Sequence, residues 1–142
     1  MSISPVSPAT GTATGGRNGR AVVGESGLDV VPATPPAMGG DGKGSNPEQL
    51  FAPGYAACYI GAMQFATTQD TSLAKVPADV SVEAGVGIGP RAEGGFGLAV
   101  TLTVTMPGVD KAEAERIAEA GHKICPYSNA VRGNVEVTTQ VN

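Results

Sequence analysis

The feature that most constrains this chain is a long stretch without charge, QLFAPGYAACYIGAMQFATTQ at residues 49–69. Asparagine, proline and glutamate at positions 46–48 directly precede it. Asparagine is a favoured N-cap, proline suits the first helical position, and glutamate complements the helix dipole. We therefore predict a helix that starts here and runs toward Thr67. Pro53 removes one backbone hydrogen bond inside this helix and predicts a kink.

The same stretch is long enough to raise the question of a membrane span, but its composition argues against one. Its glycines, its proline and several amide and hydroxyl side chains make a poor hydrocarbon span. We predict a buried helix in a protein with no membrane partner. Because one small chain cannot readily enclose such a helix, we predict a homodimer in which two copies of it pack together. Small residues on neighbouring turns would allow close packing: Gly54, Ala57, Gly61 and Ala62.

Strand patterns lie on both sides of this helix. Short apolar runs at residues 20–23 and 28–31, joined by a Gly-Glu-Ser-Gly turn, predict a hairpin followed by a glycine-rich loop. Alternation at residues 80–88 and 96–106 predicts a long antiparallel hairpin with one buried face. A last alternating run, residues 135–141, predicts a terminal strand.

A second helix is predicted over residues 110–123, with Asp110 as its cap and Glu113 three residues further on. Its thin apolar face indicates a surface helix and consists of Ala114, Ile117, Ala118 and Gly121. The predicted fold is therefore α+β, with antiparallel sheets around a long central apolar helix. We expect residues 1–11 to form a flexible arm and residues 12–142 a single domain.

Composition excludes several classes of protein. Nine Lys and Arg residues against 13 Asp and Glu residues give a net charge of −4, and they form no basic stripe, so nucleic acid is not an expected partner. The first residues show no basic-then-apolar leader, so we expect a reducing, cytoplasmic location. One histidine and two cysteines make a zinc site improbable, and no metal is expected. A cysteine pair in such a compartment is more often catalytic or redox-sensing than structural.

The two cysteines have different surroundings. Cys58 lies within the uncharged helix, where a thiol is ordinarily inert packing, and to react it would need a cation beside it. Cys125 opens a polar, turn-rich segment after the second helix. It is either an incidental thiol or a resolving cysteine that condenses with a sulfenic acid on Cys58. His122 is the one histidine, and near a helix C-terminus it is expected to be a dipole partner rather than a base.

Arg17 lies in a glycine-rich turn, which lets the backbone approach another group closely. It is either a solvated turn arginine or a guanidinium delivered to a thiolate and a peroxide oxygen, with Glu48 as the carboxylate that holds it. Glu48 and Cys58 are ten residues apart, which is about 15 Å along a straight helix. They would serve one site only if the kink is large or if they come from different chains. This constraint favours sites shared between two subunits.

Four separated segments resemble a known family. They are TGGRNGR at residues 14–20, NPEQLFAPGYAAC at 46–58, GGFGL at 94–98, and CPYSNA at 125–130 with RGN shortly after it. In this order they resemble the organic hydroperoxide resistance proteins (Ohr) of the wider OsmC superfamily. The similarity runs from about Thr12 to Val141.

The resemblance implies a cysteine-based peroxidase that protects against oxidative stress by reducing organic hydroperoxides, including those of fatty acids, to alcohols. It makes Cys58 the peroxidatic thiolate and Cys125 the resolving cysteine of a redox-active disulfide. Arg17 would stabilise the thiolate and orient the peroxide, and Glu48 would hold that arginine. Family members are intertwined homodimers with active sites at the interface. No bound cofactor is expected, and a dihydrolipoyl-type dithiol on a lipoylated protein would serve as the reductant.

This chain departs from the family pattern at Pro53, where alanine is common, and at Asn18, where aspartate is common. Neither change removes a catalytic position. Two other functions stay open, a redox sensor and a dimer that binds hydrophobic ligands, each with little turnover. A cysteine hydrolase is disfavoured, because no well-placed histidine or acid accompanies Cys58. An apolar substrate pocket is predicted from Phe51, Tyr55, Met63 and Phe96.

Overall fold

This computed structural model describes residues 3–142, and the chain divides into two compact units. The first unit ends at Pro47, and the second is Glu48–Asn142. Residues 1 and 2 of the predicted arm lie outside the described part. The expectation of one domain over residues 12–142 stays a prediction.

The first unit contains a three-stranded antiparallel sheet, in which β1 is Thr12–Thr14, β2 is Arg20–Val23 and β3 is Leu28–Val30. The predicted hairpin is confirmed by β2 and β3, which pair with Ala21 opposite Val30. The sequence does not predict β1, because a run of only three residues carries no periodicity to detect. Two short 3₁₀ turns complete the unit, Gly16–Asn18 and Pro36–Met38.

The second unit is built on one long helix, α1, which spans Pro47–Gln69. Tyr55, Tyr59 and Met63 are fully buried on one side of it, and each such side chain contributes about 1.5–3 kcal/mol through burial. The opposite side of α1 is exposed in the single chain. The sequence predicts a helix that is buried on nearly all sides, with a second copy of the chain covering this one. Among residues 3–142, no helix is long and apolar enough to cross a membrane. The exposed strip consists mostly of small residues: Pro53, Ala57, Gly61 and Phe65.

A second three-stranded sheet covers the buried side of α1, and its strands lie side by side in the order in which they follow one another in the chain. β4 is Ser81–Pro90, β5 is Phe96–Thr105 and β6 is Glu136–Val141. The predicted long hairpin is confirmed, because β4 and β5 pair antiparallel along their whole length. Alternate residues of β5 face the core as predicted, and the best buried are Val100, Leu102 and Val104.

The last strand differs from the predicted antiparallel arrangement. β6 pairs parallel with β5, with Val100 opposite Val137 and Val104 opposite Val141. A parallel pair needs a crossover connection, and the helical segment between the two strands supplies it. The alternation that predicts this strand is the same in both directions, so the pattern cannot tell its orientation.

Two helices form that crossover. The predicted helix is confirmed as α2, Lys111–Ile124, and the Asp110 side chain caps it by accepting a hydrogen bond from the Glu113 backbone N–H. Its buried residues are the four predicted ones. The second helix, α3, spans Pro126–Val131, where the sequence indicates only a turn-rich segment. Six residues are too few for a helical period to show.

Candidate functional site

The structure brings the two cysteines together. The Cys125 thiol donates a hydrogen bond to the Cys58 sulfur, and the two Sγ atoms are 3.8 Å apart. Cys58 is partly exposed on α1, whereas Cys125 is completely buried at the junction of α2 and α3. Both are free thiols. One accessible and one sheltered sulfur thus face each other across 67 residues of sequence.

The junction of α2 and α3 holds Cys125 in this orientation. Its backbone N–H donates to the carbonyl oxygen of Gly121 at 2.8 Å and so ends α2. Its Sγ accepts a hydrogen bond from the Ser128 backbone N–H at 3.5 Å and so caps α3. Pro126 follows at the first position of α3, which suits its fixed φ. Cys125 therefore takes the N-cap position usually given to Ser, Thr or Asp.

The second unit makes the Cys58 thiol less acidic. Burial raises the pKa of Cys58, the neighbouring Cys125 raises it further, and a hydrogen bond from the Tyr127 backbone lowers it in part. The reactive form of a cysteine is the thiolate. A nearby cation would reverse the upward direction of this pKa, and that is the role for which the sequence predicts Arg17.

Three aromatic rings pack together where α3 lies against α1. Phe51 and Tyr55 meet edge to face with ring centroids 6.0 Å apart, and Tyr127 lies 5.8 Å from both rings. Of the predicted pocket residues, this cluster includes Phe51 and Tyr55. Tyr127 belongs to the Cys-Pro-Tyr-Ser motif and is missing from the predicted pocket, because its contact with α1 arises only from the packing of α3.

The other two predicted pocket residues lie elsewhere. Met63 is fully buried among core side chains, close to Gly121 of α2. Phe96 is 65% exposed at the first position of β5. Neither belongs to the aromatic cluster of Phe51, Tyr55 and Tyr127 in the described chain, so their role in substrate binding stays a prediction.

A hydrogen-bonded polar network lies behind Cys125. The Oγ atom of Ser128 is 2.9 Å from the Tyr55 hydroxyl and 2.9 Å from Nδ1 of His122. The Nε2 atom of His122 is 2.7 Å from Oγ1 of Thr139 on β6. Burial lowers the pKa of His122, the charge of Glu119 raises it in part, and the charge of Arg132 lowers it, so the net direction favours the neutral ring.

None of these hydrogen-bonding roles is predicted from the sequence, and no spacing in the chain indicates them. Tyr55, His122, Ser128 and Thr139 come from four different elements. The only available signal is a lone histidine three residues before the Cys-Pro motif. The network borders a cavity of about 390 Å³, lined in part by Glu119, Arg132 and Val137.

Arg17 and Glu48 each occupy a defined place in their own unit. Arg17 is partly buried in the 3₁₀ turn Gly16–Asn18, which begins after a left-handed Gly15 with φ of 70°. A Cβ at Gly19 would lie only 1.7 Å from the carbonyl oxygen of Thr14. The glycines therefore let this loop close tightly on itself. Glu48, in the first turn of α1, is 9% exposed.

The side chains near the two cysteines do not form a metal site in the described part of the chain. Within the described residues 3–142, no group of three or more His, Cys, Asp or Glu side chains could hold a metal ion. The side chains that converge are instead two thiols and a set of hydroxyl and imidazole groups.

Several known proteins are similar to this chain. The family described as OsmC-like protein matches residues 40–140. The organic hydroperoxide resistance protein of Xanthomonas axonopodis pv. citri (strain 306) is 53% identical over 128 residues, covering 89% of this chain and 88% of that protein.

Solved structures agree with this relationship. An organic hydroperoxide resistance protein from Legionella pneumophila superposes with a TM-score of 0.88 at 39% identity, covering 98% of this chain and 99% of that one. The organic hydroperoxide resistance protein OhrB of Bacillus subtilis gives a TM-score of 0.85 at 36% identity, covering 97% of this chain and 100% of that one. The chain therefore belongs to the OsmC-like family and, within it, to the organic hydroperoxide resistance proteins.

Proposed function

We propose that this protein is a two-cysteine peroxidase that reduces organic hydroperoxides, including those of fatty acids, to alcohols. The observation that carries the proposal is the 3.8 Å separation of the Cys58 and Cys125 sulfurs. A partly exposed thiol can meet a substrate, and a buried thiol beside it can close a disulfide without leaving the core.

The proposed reaction has three steps: oxidation of Cys58, formation of a disulfide, and reduction of that disulfide. The Cys58 thiolate attacks the terminal oxygen of the hydroperoxide, the O–O bond breaks, and the alkoxide takes a proton and leaves as an alcohol. Cys125 then attacks the sulfur of the Cys58 sulfenic acid, an S–S bond forms, and water leaves. A dithiol of the dihydrolipoyl type reduces the disulfide by thiol–disulfide exchange and is itself oxidised.

The first step requires a thiolate, and the second unit alone raises the pKa of Cys58. We propose that Arg17 supplies the charge that favours the thiolate and orients the peroxide, with Glu48 holding that arginine. The support is chemical: a guanidinium presents paired N–H donors suited to peroxide oxygens and stays charged at any working pH. The backbone of the turn around Arg17 is closely defined, because Gly15 and Gly16 have left-handed φ values and a Cβ at Gly19 would clash with Thr14.

A homodimer is part of the proposal. The exposed strip of α1, from Pro53 to Phe65, consists mostly of small residues and would bury itself against a second copy. Family resemblance adds a lipoylated protein as electron donor and a cytoplasmic location. Sedimentation of the reduced protein would test the dimer directly, and a monomer at micromolar concentration would contradict it.

The experiment for the peroxidase is a count of free thiols. The reduced protein is treated with one equivalent of cumene hydroperoxide and then titrated with a thiol reagent under denaturing conditions. We expect both thiols to disappear in each chain and to return after dihydrolipoamide is added. Two thiols left untouched would overturn the proposal and favour a dimer that binds hydrophobic ligands. Oxidation without repeated turnover in excess dithiol would favour a redox sensor.

A further inference from the structure

Ser128 occupies a central place that the proposed peroxidase chemistry does not use. Its hydroxyl contacts Tyr55 on α1 and His122 on α2, each at 2.9 Å. Its backbone N–H donates to the Cys125 sulfur at 3.5 Å. One residue of α3 therefore connects the helix that carries Cys58, the helix that precedes Cys125, and the sulfur of Cys125 itself.

This connection is sheltered from solvent. Ser128 is 4% exposed and Tyr55 is completely buried. A buried hydrogen bond is costly to break, because water does not replace the lost partner. The two contacts to the hydroxyl therefore restrict the position of Ser128 more than the six-residue helix α3 could by itself.

A neutral His122 satisfies the whole network, because one ring nitrogen donates and the other accepts. In one arrangement Tyr55 donates to Ser128, Ser128 donates to Nδ1 of His122, and Nε2–H donates to Thr139 on β6. In the reverse arrangement every donor and acceptor is exchanged, and the same contacts are kept. His122 thus ties Ser128 to the sheet at 2.7 Å on its far side. Elements α1, α2, α3 and β6 meet in this chain of four groups.

We propose that Ser128 is a positioning residue for Cys125 and that Tyr55 and His122 hold it in place. The inference rests on the proposed peroxidase function. By fixing the amide of residue 128, the network keeps the Cys125 sulfur directed at Cys58. The step that depends on this direction is the second one, in which Cys125 loses its proton, an S–S bond forms, the S–O bond of the sulfenic acid breaks, and water leaves. The attack of Cys58 on the peroxide does not use Cys125 and is independent of Ser128.

The test measures these two steps separately in Ser128→Ala. Rapid mixing with cumene hydroperoxide gives the rate of Cys58 oxidation, and mass spectrometry of quenched samples gives the rate of disulfide formation. We expect oxidation within about twofold of the unaltered chain and disulfide formation slower by about tenfold or more, since misalignment of reacting groups alone costs such factors. Sulfenic acid should accumulate in this variant and react with dimedone. A purely structural loss would slow both steps together or lower the folded fraction without separating them.

Two further variants keep the test decisive if Ser128→Ala folds poorly. Tyr55→Phe keeps the ring of a predicted pocket residue and removes one partner of the Ser128 hydroxyl. The disulfide formation that follows oxidation should slow by a smaller factor than in Ser128→Ala, whatever the rate of the oxidation itself. Thr138→Ala, on the exposed side of β6 beside Thr139, is the matched control and should alter neither rate. Disulfide formation at the unaltered rate in both Ser128→Ala and Tyr55→Phe would overturn the inference.

Failure of the positioning role can be told apart from failure of the peroxidase. If the unaltered chain does not lose thiols with hydroperoxide, the proposed function is wrong. Diamide, which oxidises thiol pairs directly, then replaces the peroxide as the probe. Slower disulfide closure with diamide in Ser128→Ala than in Thr138→Ala would still support the positioning role, and equal rates would exclude it.

Discussion

The sulfur of Cys58, on the long helix α1, lies 3.8 Å from the sulfur of Cys125, which caps the short helix α3. The first is partly exposed and the second is completely buried. Only a small movement separates the two thiols from a disulfide, whose sulfurs are about 2.05 Å apart. Because of this unequal exposure, an oxidant in solution reaches the Cys58 sulfur more readily than the Cys125 sulfur.

Replacing each cysteine should therefore have a different effect. Cys58→Ser should abolish the consumption of cumene hydroperoxide, because serine is not nucleophilic enough at neutral pH. Cys125→Ser should consume about one equivalent per chain and then stop, since no disulfide forms for the dithiol to reduce. A coupled assay with dihydrolipoamide and its dehydrogenase measures both. Normal turnover by Cys58→Ser would contradict the assignment.

Cys125→Ser should also make Cys58 more acidic. Effects of the neighbouring Cys125 side chain raise the pKa of the Cys58 thiol. Without them that pKa falls, so the thiolate form extends to lower pH. The pH dependence of alkylation by iodoacetamide, followed by mass spectrometry of the Cys58 peptide, reports it. An unchanged or higher pKa in the variant would show that Cys125 does not influence Cys58 as the structure indicates.

Arg17→Lys should lower kcat/KM for the hydroperoxide by about 10- to 100-fold, because lysine offers a point charge in place of the planar pair of guanidinium donors. Arg20→Lys is a matched control from the same unit. The Arg20 side chain is exposed and pairs with Asp29 across β2 and β3, with Nε 2.8 Å from Oδ1. The control should change kcat/KM by less than about twofold, since exposed ion pairs contribute little. Equal effects of the two substitutions on kcat/KM would show that Arg17 has no specific role in the reaction.

Gly121→Ala should destabilise the second unit by about 1–3 kcal/mol, because the added methyl has no room. A Cβ at Gly121 would lie 2.5 Å from Cγ of Met63 and 3.1 Å from Cε2 of Tyr59, and both side chains are fully buried. Urea denaturation measures the change in the free energy of unfolding. In a Met63→Ala background the space is vacated, so Gly121→Ala should cost clearly less there. Additive effects of the two substitutions would mean that the close approach of α1 and α2 is not real.

His122 should make stability depend on pH in the region around and below its ordinary pKa of 6.5. Its pKa is lowered in the folded chain by burial, so the unfolded chain, with the ordinary value of 6.5, binds the proton first as pH falls. The folded state is then favoured less, and stability decreases as pH drops through this window until the folded pKa is passed. His122→Gln should remove this slope in Tm while keeping a hydrogen-bonding side chain. The same slope in both proteins would show that another group is responsible.

Much of the fold could be predicted because it depends on local patterns. The alternation of β4 and β5, the cap of α2 at Asp110 and the start of α1 at Pro47 all agree with the structure. Patterns of this kind act within a few residues of the chain, so they survive without knowledge of the tertiary fold. The features that were not predicted are those that local patterns cannot reveal. The direction of β6, the helix α3 and the strand β1 depend on partners far away in sequence or are too short to show a period.

The candidate site divides in the same way. The sequence by itself determined the residue types: two thiols in contrasting surroundings, an arginine in a glycine-rich turn, and motifs shared with the organic hydroperoxide resistance proteins. Only the tertiary structure decided that Cys125 is the buried thiol, that it faces Cys58, and that Ser128, Tyr55 and His122 surround its capping position. The reason is physical. The identity of each residue fixes the chemistry of its side chain, whereas the distances between side chains and their burial arise from packing between elements that are remote in sequence.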